Sequence, residues 1–151
     1  MILLARHAAP VPASEWLGPD EDRPLSPRGL RSAEGLVLHL SAQPITRILS
    51  SPRRRCRDTV APLAAARGLG IDLVRDLDED APSGGARSLL EARVPGLVLC
   101  SHRNQITDLL TGLADAGVIV RGARTAPWAS VWEVAVEGGR VLSARCLPAA
   151  D

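Results

Sequence analysis

Ile2, Leu3 and Leu4 follow one another without a polar interruption and run, through Ala5, into Arg6 and His7. An apolar run without alternation fits a strand covered on both faces, the kind that parallel sheets contain. A second such run, Leu97, Val98, Leu99 and Cys100, ends in Ser101 and His102. Ligands gather at the carboxyl ends of strands in an open parallel sheet, so each run delivers a histidine where such a fold does its chemistry. Taken alone, Arg6-His7 also fits an edge strand capped by solvated polar residues, because short motifs recur by chance. The rest of the chain separates the two readings.

Between and after these runs, strand and helix patterns alternate. Residues 11–25 are a polar, proline-bearing loop without a regular element. Ser26-Pro27 has the form of a helix start, with Ser26 as N-cap and proline in the first turn. Leu30, Ala33, Leu36, Val37 and Leu40 then recur at helical spacing. Residues 45–49 form a short strand leading to Ser50-Ser51-Pro52, and a helix is predicted over 52–67, stopped by Gly68 and Gly70. Residues 71–74 form a third strand, 76–85 an acidic turn-rich segment, and 86–93 a further helix. A helix starting near Asn104 carries Ile106, Leu109, Leu110 and Leu113 on one face. Residues 128–136 alternate as a strand, Gly138-Gly139 marks a hairpin turn, and 141–147 is the return strand.

Alternation of this kind predicts an α/β fold: a three-layer sandwich with a mostly parallel sheet, helices on both faces and a C-terminal antiparallel hairpin at the edge. At 151 residues, 46% of them hydrophobic, residues 1–151 form a single domain with enough apolar side chains for a core. Leu, Val and Ala must fill it, since Trp16, Trp128 and Trp132 are its only large aromatic residues. All 18 basic residues are arginine, which removes lysine chemistry. A net charge of +1 gives no global field toward a nucleic acid polymer or a membrane. Cys56, Cys100 and Cys146 are sparse and show neither zinc spacing nor a CxxC pair, which suits reduced thiols and a cytoplasmic location. The apolar start is too short for a signal peptide, and no stretch has transmembrane length.

If the strands are parallel, Arg6-His7, the Ser51-Pro52 turn with its arginines, and Ser101-His102 share one edge of the sheet. Guanidinium forks match phosphate oxygens, and a helix start near Pro52 adds backbone N–H groups. One imidazole can attack phosphorus while a second holds the transferring group in a preformed positive pocket. The chemistry calls for no metal and no other cofactor.

The residues at these positions also resemble a known family. Leu4-Ala5-Arg6-His7-Ala8 is similar to the Arg-His-Gly motif of the histidine phosphatase superfamily, the phosphoglycerate-mutase-like proteins. Arg23-Pro24-Leu25-Ser26-Pro27-Arg28-Gly29 resembles its RPLTxxG segment. Ser50 to Thr59 resembles SSPxxRxxxT, and Val98 to His102 resembles the strand that brings the second histidine. The small SixA-type branch is most similar, as is the phosphatase-like domain fused to some MutT-type Nudix hydrolases, whose terminal hairpin residues 128–147 resemble. The length leaves no room for a Nudix domain and little for a lid, which suits a bulky substrate.

The resemblance implies a phosphatase acting on a phosphomonoester or a protein phosphohistidine. His7 would be the phosphorylated nucleophile, with Arg6, Arg55 and His102 binding the phosphoryl group. The implied partners are a phosphorylated small molecule or a phosphohistidine protein. A nucleotide-phosphate hydrolase, or a module that only binds phosphate, is the alternative. Ala8 stands where the family has glycine, Ala9-Pro10 where Glu or Gln is common, and Arg103 where a small residue is common. Glu79 is the candidate general acid, with Asp78 and Asp80 as competitors. Arg53, Arg54 and Arg57 are read as surface or packing residues, His39 as a helix residue, Cys100 as a core thiol, and Trp128 and Trp132 as neighbours on one strand face. The sequence does not fix the oligomeric state.

Overall fold

A computed structural model describes residues 1–82 and 84–149. Seven strands form one sheet: β1 (Ile2–Arg6), β2 (Arg47–Ser50), β3 (Ile71–Leu73), β4 (Leu97–Ser101), β5 (Ile119–Arg121), β6 (Val131–Glu137) and β7 (Arg140–Cys146). Among the described residues four helices accompany them: α1 (Pro27–His39), α2 (Arg54–Arg67), α3 (Gly85–Glu91) and α4 (Arg103–Asp115). The strand order is β3-β2-β4-β1-β6-β7-β5. β1 and β2 both run parallel to β4, and β3 runs parallel to β2. Among the described residues no helix is long and apolar enough to cross a membrane.

Side chains alternate across a strand, and the unbroken apolar runs therefore feed two cores at once. Ile2 and Leu4 pack with Leu97, Leu99 and the apolar sides of α3 and α4. Leu3 and Ala5 pack with Ile48, Val98, Cys100 and the apolar sides of α1 and α2. The helices thus cover both faces of the sheet, as the sequence predicts.

The start of α1 fixes the loop behind His7. Ser26 caps the helix by accepting the Gly29 N–H at 3.1 Å, and its own backbone N–H and hydroxyl both donate to the Ala9 carbonyl. A Cβ on Gly29 would lie 2.0 Å from that same carbonyl oxygen, so the helix seats directly on the chain after His7. At the other end of α2, Gly68 takes the left-handed conformation (φ 62°) that closes a helix.

Several boundaries differ from the sequence reading. The loop 11–25 contains two short 3-10 turns, Ala13–Glu15 and Asp20–Asp22, and is pinched at its base by a Pro10–Leu25 bridge. The turn-rich segment 76–85 overlaps a 3-10 turn, Arg75–Leu77; its Ser83 lies outside the described residues. The strand predicted over 45–49 is displaced to Arg47–Ser50. α2 begins at Arg54, with Pro52 and Arg53 outside it. α3 stops at Glu91 instead of reaching Arg93; Val94 precedes Pro95 and is steered away from helical conformation. Leu30 lies half-exposed although it falls on the helical repeat.

The largest difference lies in the last third. β6 is the one strand opposed to its neighbours, antiparallel to both β1 and β7. The hairpin therefore does not form the edge. The three-residue strand β5, too short and too exposed to leave a periodic signal, pairs parallel with β7 and takes that place. Trp128 is not in β6, which starts at Val131, so it does not share a strand face with Trp132. Trp132 is wholly buried and Trp128 is not.

Candidate active site

β4 is the last in the chain of the strands β1 to β4 and lies between β2 and β1. That order places the ends of three strands side by side. The His7 N–H donates to the Ser101 carbonyl at 3.1 Å, and the Ser51 N–H donates to the Cys100 carbonyl at 2.9 Å. The two imidazoles meet edge to face with centroids 5.3 Å apart. His7, His102 and Arg55 are all buried, Arg55 to 1% exposure. His7, His102, Arg6 and Arg55, which the sequence separates by up to 96 positions (102 − 6), are thus brought together at one sheet edge.

His7 Nδ1 lies 2.8 Å from the Ala8 carbonyl oxygen. A carbonyl only accepts, so in the neutral ring Nδ1 carries the proton and Nε2 keeps its lone pair. Burial, reinforced by Arg6, Arg55 and Arg23 and opposed by the Ala8 hydrogen bond, pushes the His7 pKa down to about 4. Its ring is therefore neutral at ordinary pH. Burial, with His7, Arg55 and Arg53 adding to it, lowers His102 to about 2. His102 Nε2 shares a 2.8 Å hydrogen bond with the Ser51 hydroxyl, and its Nδ1 is buried with no partner.

Arg55 reaches the site from the first turn of α2. Its Nη1 donates to the Asp20 carbonyl at 3.0 Å, and its Nη2 to Asp20 Oδ2 at 3.2 Å and Glu79 Oε2 at 2.9 Å. A buried guanidinium requires such partners. Thr59, one helical turn on, links this residue to the loop of His7: its hydroxyl donates to the Arg55 carbonyl and accepts the Ala8 N–H at 2.8 Å. Arg6 is differently placed. Its Nη1 donates to the Ala126 carbonyl at 2.8 Å, and its Nε is buried without a partner.

The acidic segment closes the opposite side. Arg53 donates to Asp78 at 2.8 Å, Asp80 at 2.8 Å and Asp20 at 2.7 Å. It is therefore part of the site's ion-pair network and not a plain surface or packing residue. Burial works against its charge, but Asp78, Asp80 and Glu79 prevail and raise its pKa above the ordinary value. Asn104 donates to the Glu79 carbonyl and Gln105 to the Ala81 carbonyl, so α4 holds this loop as well. Of the three candidate acids, Glu79 alone accepts a hydrogen bond from Arg55. Asp78 lies 4.0 Å from His102 but is bound to Arg53, and Asp80 is mostly exposed.

Asp20 and Thr59 received no role from the sequence, Ser51 only a place in the turn after β2, and Arg53 a surface or packing role. Thr59 carried a signal, four residues after Arg55 on the same helix face. Asp20 carried none, because an irregular loop offers no periodicity. Burial raises its pKa, but Arg55 and Arg23 outweigh that and hold it below the usual carboxylate range. Among the described residues no group of three or more His, Cys, Asp and Glu side chains is arranged to hold a metal ion. The arrangement can bind a tetrahedral oxyanion between guanidinium groups and present it to an imidazole lone pair.

Comparison with known proteins agrees with this geometry. Residues 2–82 match the family model of the histidine phosphatase superfamily, branch 1. The 8-oxo-(d)GTP phosphatase of Mycolicibacterium smegmatis is 29% identical over 156 residues, covering 99% of this chain and 48% of that protein. The chain thus spans about half the length of this curated relative. The protein histidine phosphatase SixA, solved with tungstate, superposes with a TM-score of 0.74 at 20% identity over 93% of this chain and 91% of its own. A mycobacterial glucosyl-3-phosphoglycerate phosphatase, solved with inorganic phosphate, gives a TM-score of 0.65 at 17% identity over 99% and 96%. These two share the fold.

Proposed function

The chain belongs to the histidine phosphatase superfamily, branch 1, and from that premise we propose that it is a phosphatase working through a covalent phosphohistidine on His7. The observation that carries this reading is the meeting of Arg6, His7, Arg55 and His102 at one end of the sheet, with the two imidazoles 5.3 Å apart and Arg6 Nε and His102 Nδ1 both buried without a partner. Unpaired buried polar atoms are rare, and a bound oxyanion would supply partners for them. Arg6, His7 and His102 come from strand ends of one sheet and Arg55 from a helix packed on it, which supports reading residues 1–151 as one domain.

In this reading, the phosphoryl oxygens of the substrate lie against Arg6, Arg55 and His102. The Nε2 lone pair of His7 attacks phosphorus, an N–P bond forms, and the bond from phosphorus to the leaving oxygen breaks. Glu79 hands that oxygen a proton. Water then attacks the phosphohistidine, Glu79 takes back its proton, and the N–P bond returns its electrons to Nε2. Guanidinium groups meet the charge that develops on the equatorial oxygens, so no step is routed through a metal. The nitrogen of a phosphoramidate leaves more readily than an alkoxide and depends less on Glu79. The substrate class is a phosphorylated small molecule or a phosphohistidine protein, in keeping with the names of the relatives.

Incubation with labelled acetyl phosphate tests the central step. Acid-labile, base-stable label is expected on the wild type and absent from His7→Ala. Equal labelling of both proteins rules out His7 as nucleophile. Because the neutral ring is the reactive form, kcat/KM is expected to persist as pH falls below 6 and to decline only near pH 4.

A further inference from the structure

Trp128 differs from the other two indoles of the chain. Trp132 is fully buried, and Trp16 donates its Nε1–H to Pro19 within its own loop. Trp128 is 48% exposed. It is also flanked by Ala126 (φ 45°) and Ala129 (φ 60°), the two non-glycine residues with positive φ among the described residues. Alanine seldom adopts that conformation, and such strain persists where surrounding contacts impose it.

The contacts that impose it come from the catalytic strand. Arg6 Nη1 donates to the Ala126 carbonyl, the Arg6 N–H to the Ser130 carbonyl at 2.9 Å, and the Ala129 N–H to the His7 carbonyl at 3.1 Å. The strained segment is therefore stitched to the Arg6-His7 pair, and it holds the indole at the rim of the cup. The Arg6 guanidinium carbon lies 5.6 Å from the ring centroid, and that of Arg28 lies 5.8 Å from it. Beyond the ring, between α1 and the C-terminal strand, runs a groove of about 500 Å³ whose walls include Arg28, Arg31, His39 and Leu147.

We propose that Trp128 and this groove form a subsite for a nucleoside, whose base packs on the indole while its phosphoryl group occupies the cup at His7. The proposal rests on the phosphatase reading above and adds the substrate class. Three features argue for it. A half-exposed indole beside the cationic cup suits a flat ring, which would stack where the Arg28 guanidinium now lies, since every base offers a π-face. The Arg6 guanidinium lies 5.6 Å from the ring centroid, so a phosphoryl group held by Arg6 beside His7 would need a spacer to carry a ring onto the indole, as a sugar provides. Lastly, Arg28, Arg31 and His39 supply donors to base carbonyls, ring nitrogens or further phosphates, in a groove of the size that small ligands occupy.

The test is the ratio of kcat/KM for guanosine 5′-monophosphate to that for glycerol phosphate, which lacks a ring. In Trp128→Ala the ratio is expected to fall roughly tenfold, through KM, and in Trp128→Phe to stay near the wild-type value. An unchanged ratio, or a fall confined to phosphoimidazole, overturns the subsite. So does an equal loss on both substrates, which would make Trp128 a support for Arg6 alone. Titration calorimetry of guanosine 5′-monophosphate against His7→Ala reads binding without turnover, and adding Trp128→Ala is expected to weaken that binding by a similar factor. No weakening there overturns the subsite even in an active enzyme. A wild type that binds the nucleotide in this way but hydrolyses no phosphate overturns the phosphatase reading and leaves the subsite standing.

Discussion

The two walls of the cup are built on opposite plans. On one wall every guanidinium has carboxylate partners: Arg53 bonds Asp20, Asp78 and Asp80, and Arg55 bonds Asp20 and Glu79. On the other wall Arg6 has one carbonyl partner and an unpaired Nε. Burial lowers its pKa and the charge of Arg103 lowers it further. The first wall is a neutralised frame that sets positions. The second is short of negative charge, and that deficit is what an incoming phosphoryl group would fill. The comparison separates two tasks that the family resemblance gives equally to Arg6 and Arg55.

Lysine at the two positions gives the sharpest contrast. Arg55→Lys keeps a charge but loses the fork that spans Asp20 and Glu79. Its kcat/KM is expected to drop by roughly 10²–10³-fold, and its Tm is expected to fall markedly, because the frame's carboxylates lose their buried partner. Arg6→Lys is expected to lose activity on the same scale with a smaller change in Tm. Equal losses of Tm in the two variants would erase the distinction between frame and receptor.

The acid on the framed wall gives the next largest effect. Glu79→Gln is expected to slow hydrolysis of glycerol phosphate by about 10²-fold, the usual scale for a lost general acid. Aryl phosphates, whose leaving groups need no proton, should react at nearly the wild-type rate. A uniform loss over both classes would assign Glu79 to holding Arg55 and take the proton-transfer role from it.

What the sequence made legible follows the same division. The receptor side was readable because its groups close strands or open helices. His7 and His102 end the two uninterrupted apolar runs, and Arg6 precedes His7. Ser26 capping α1 and the apolar faces of α1, α2 and α4 were readable from periodicity. Of the frame, Arg55 was reached only through the family resemblance, three residues past Pro52; the rest was not readable, because its members meet through tertiary contact. Asp20 sits in a 3-10 turn without pattern, and Arg53 was one of four arginines within five residues (53–57). In the last third, residues 128–130 continue the alternation of β6, yet Ala129 is held in left-handed conformation by its bond to the His7 carbonyl. Tertiary hydrogen bonding there overrode local propensity, and it turned an expected packing residue, Trp128, into a rim residue. β5 had no signal, since three half-exposed residues acquire strand character only by pairing with β7.

Asp20 is where the frame competes with an incoming phosphoryl group. Its Oδ2 accepts from both Arg53 Nη1 and Arg55 Nη2, and its Oδ1 accepts from Arg23 Nε at 3.0 Å. A phosphoryl oxygen reaching Arg55 needs the same N–H groups. Asp20→Asn keeps the size and one acceptor oxygen but removes the charge, so it lifts the competition while leaving the backbone carbonyl on Arg55 Nη1 in place. Vanadate is expected to bind roughly two- to fivefold more tightly, a small effect because the carboxylate is half-exposed and screened by solvent. The gain should shrink as salt is raised. Weaker binding would mean that the Asp20 charge aims the Arg55 fork at the phosphoryl group rather than competing for it. The framed wall would then act in recognition directly, and the division of labour between the two arginines would have to be redrawn.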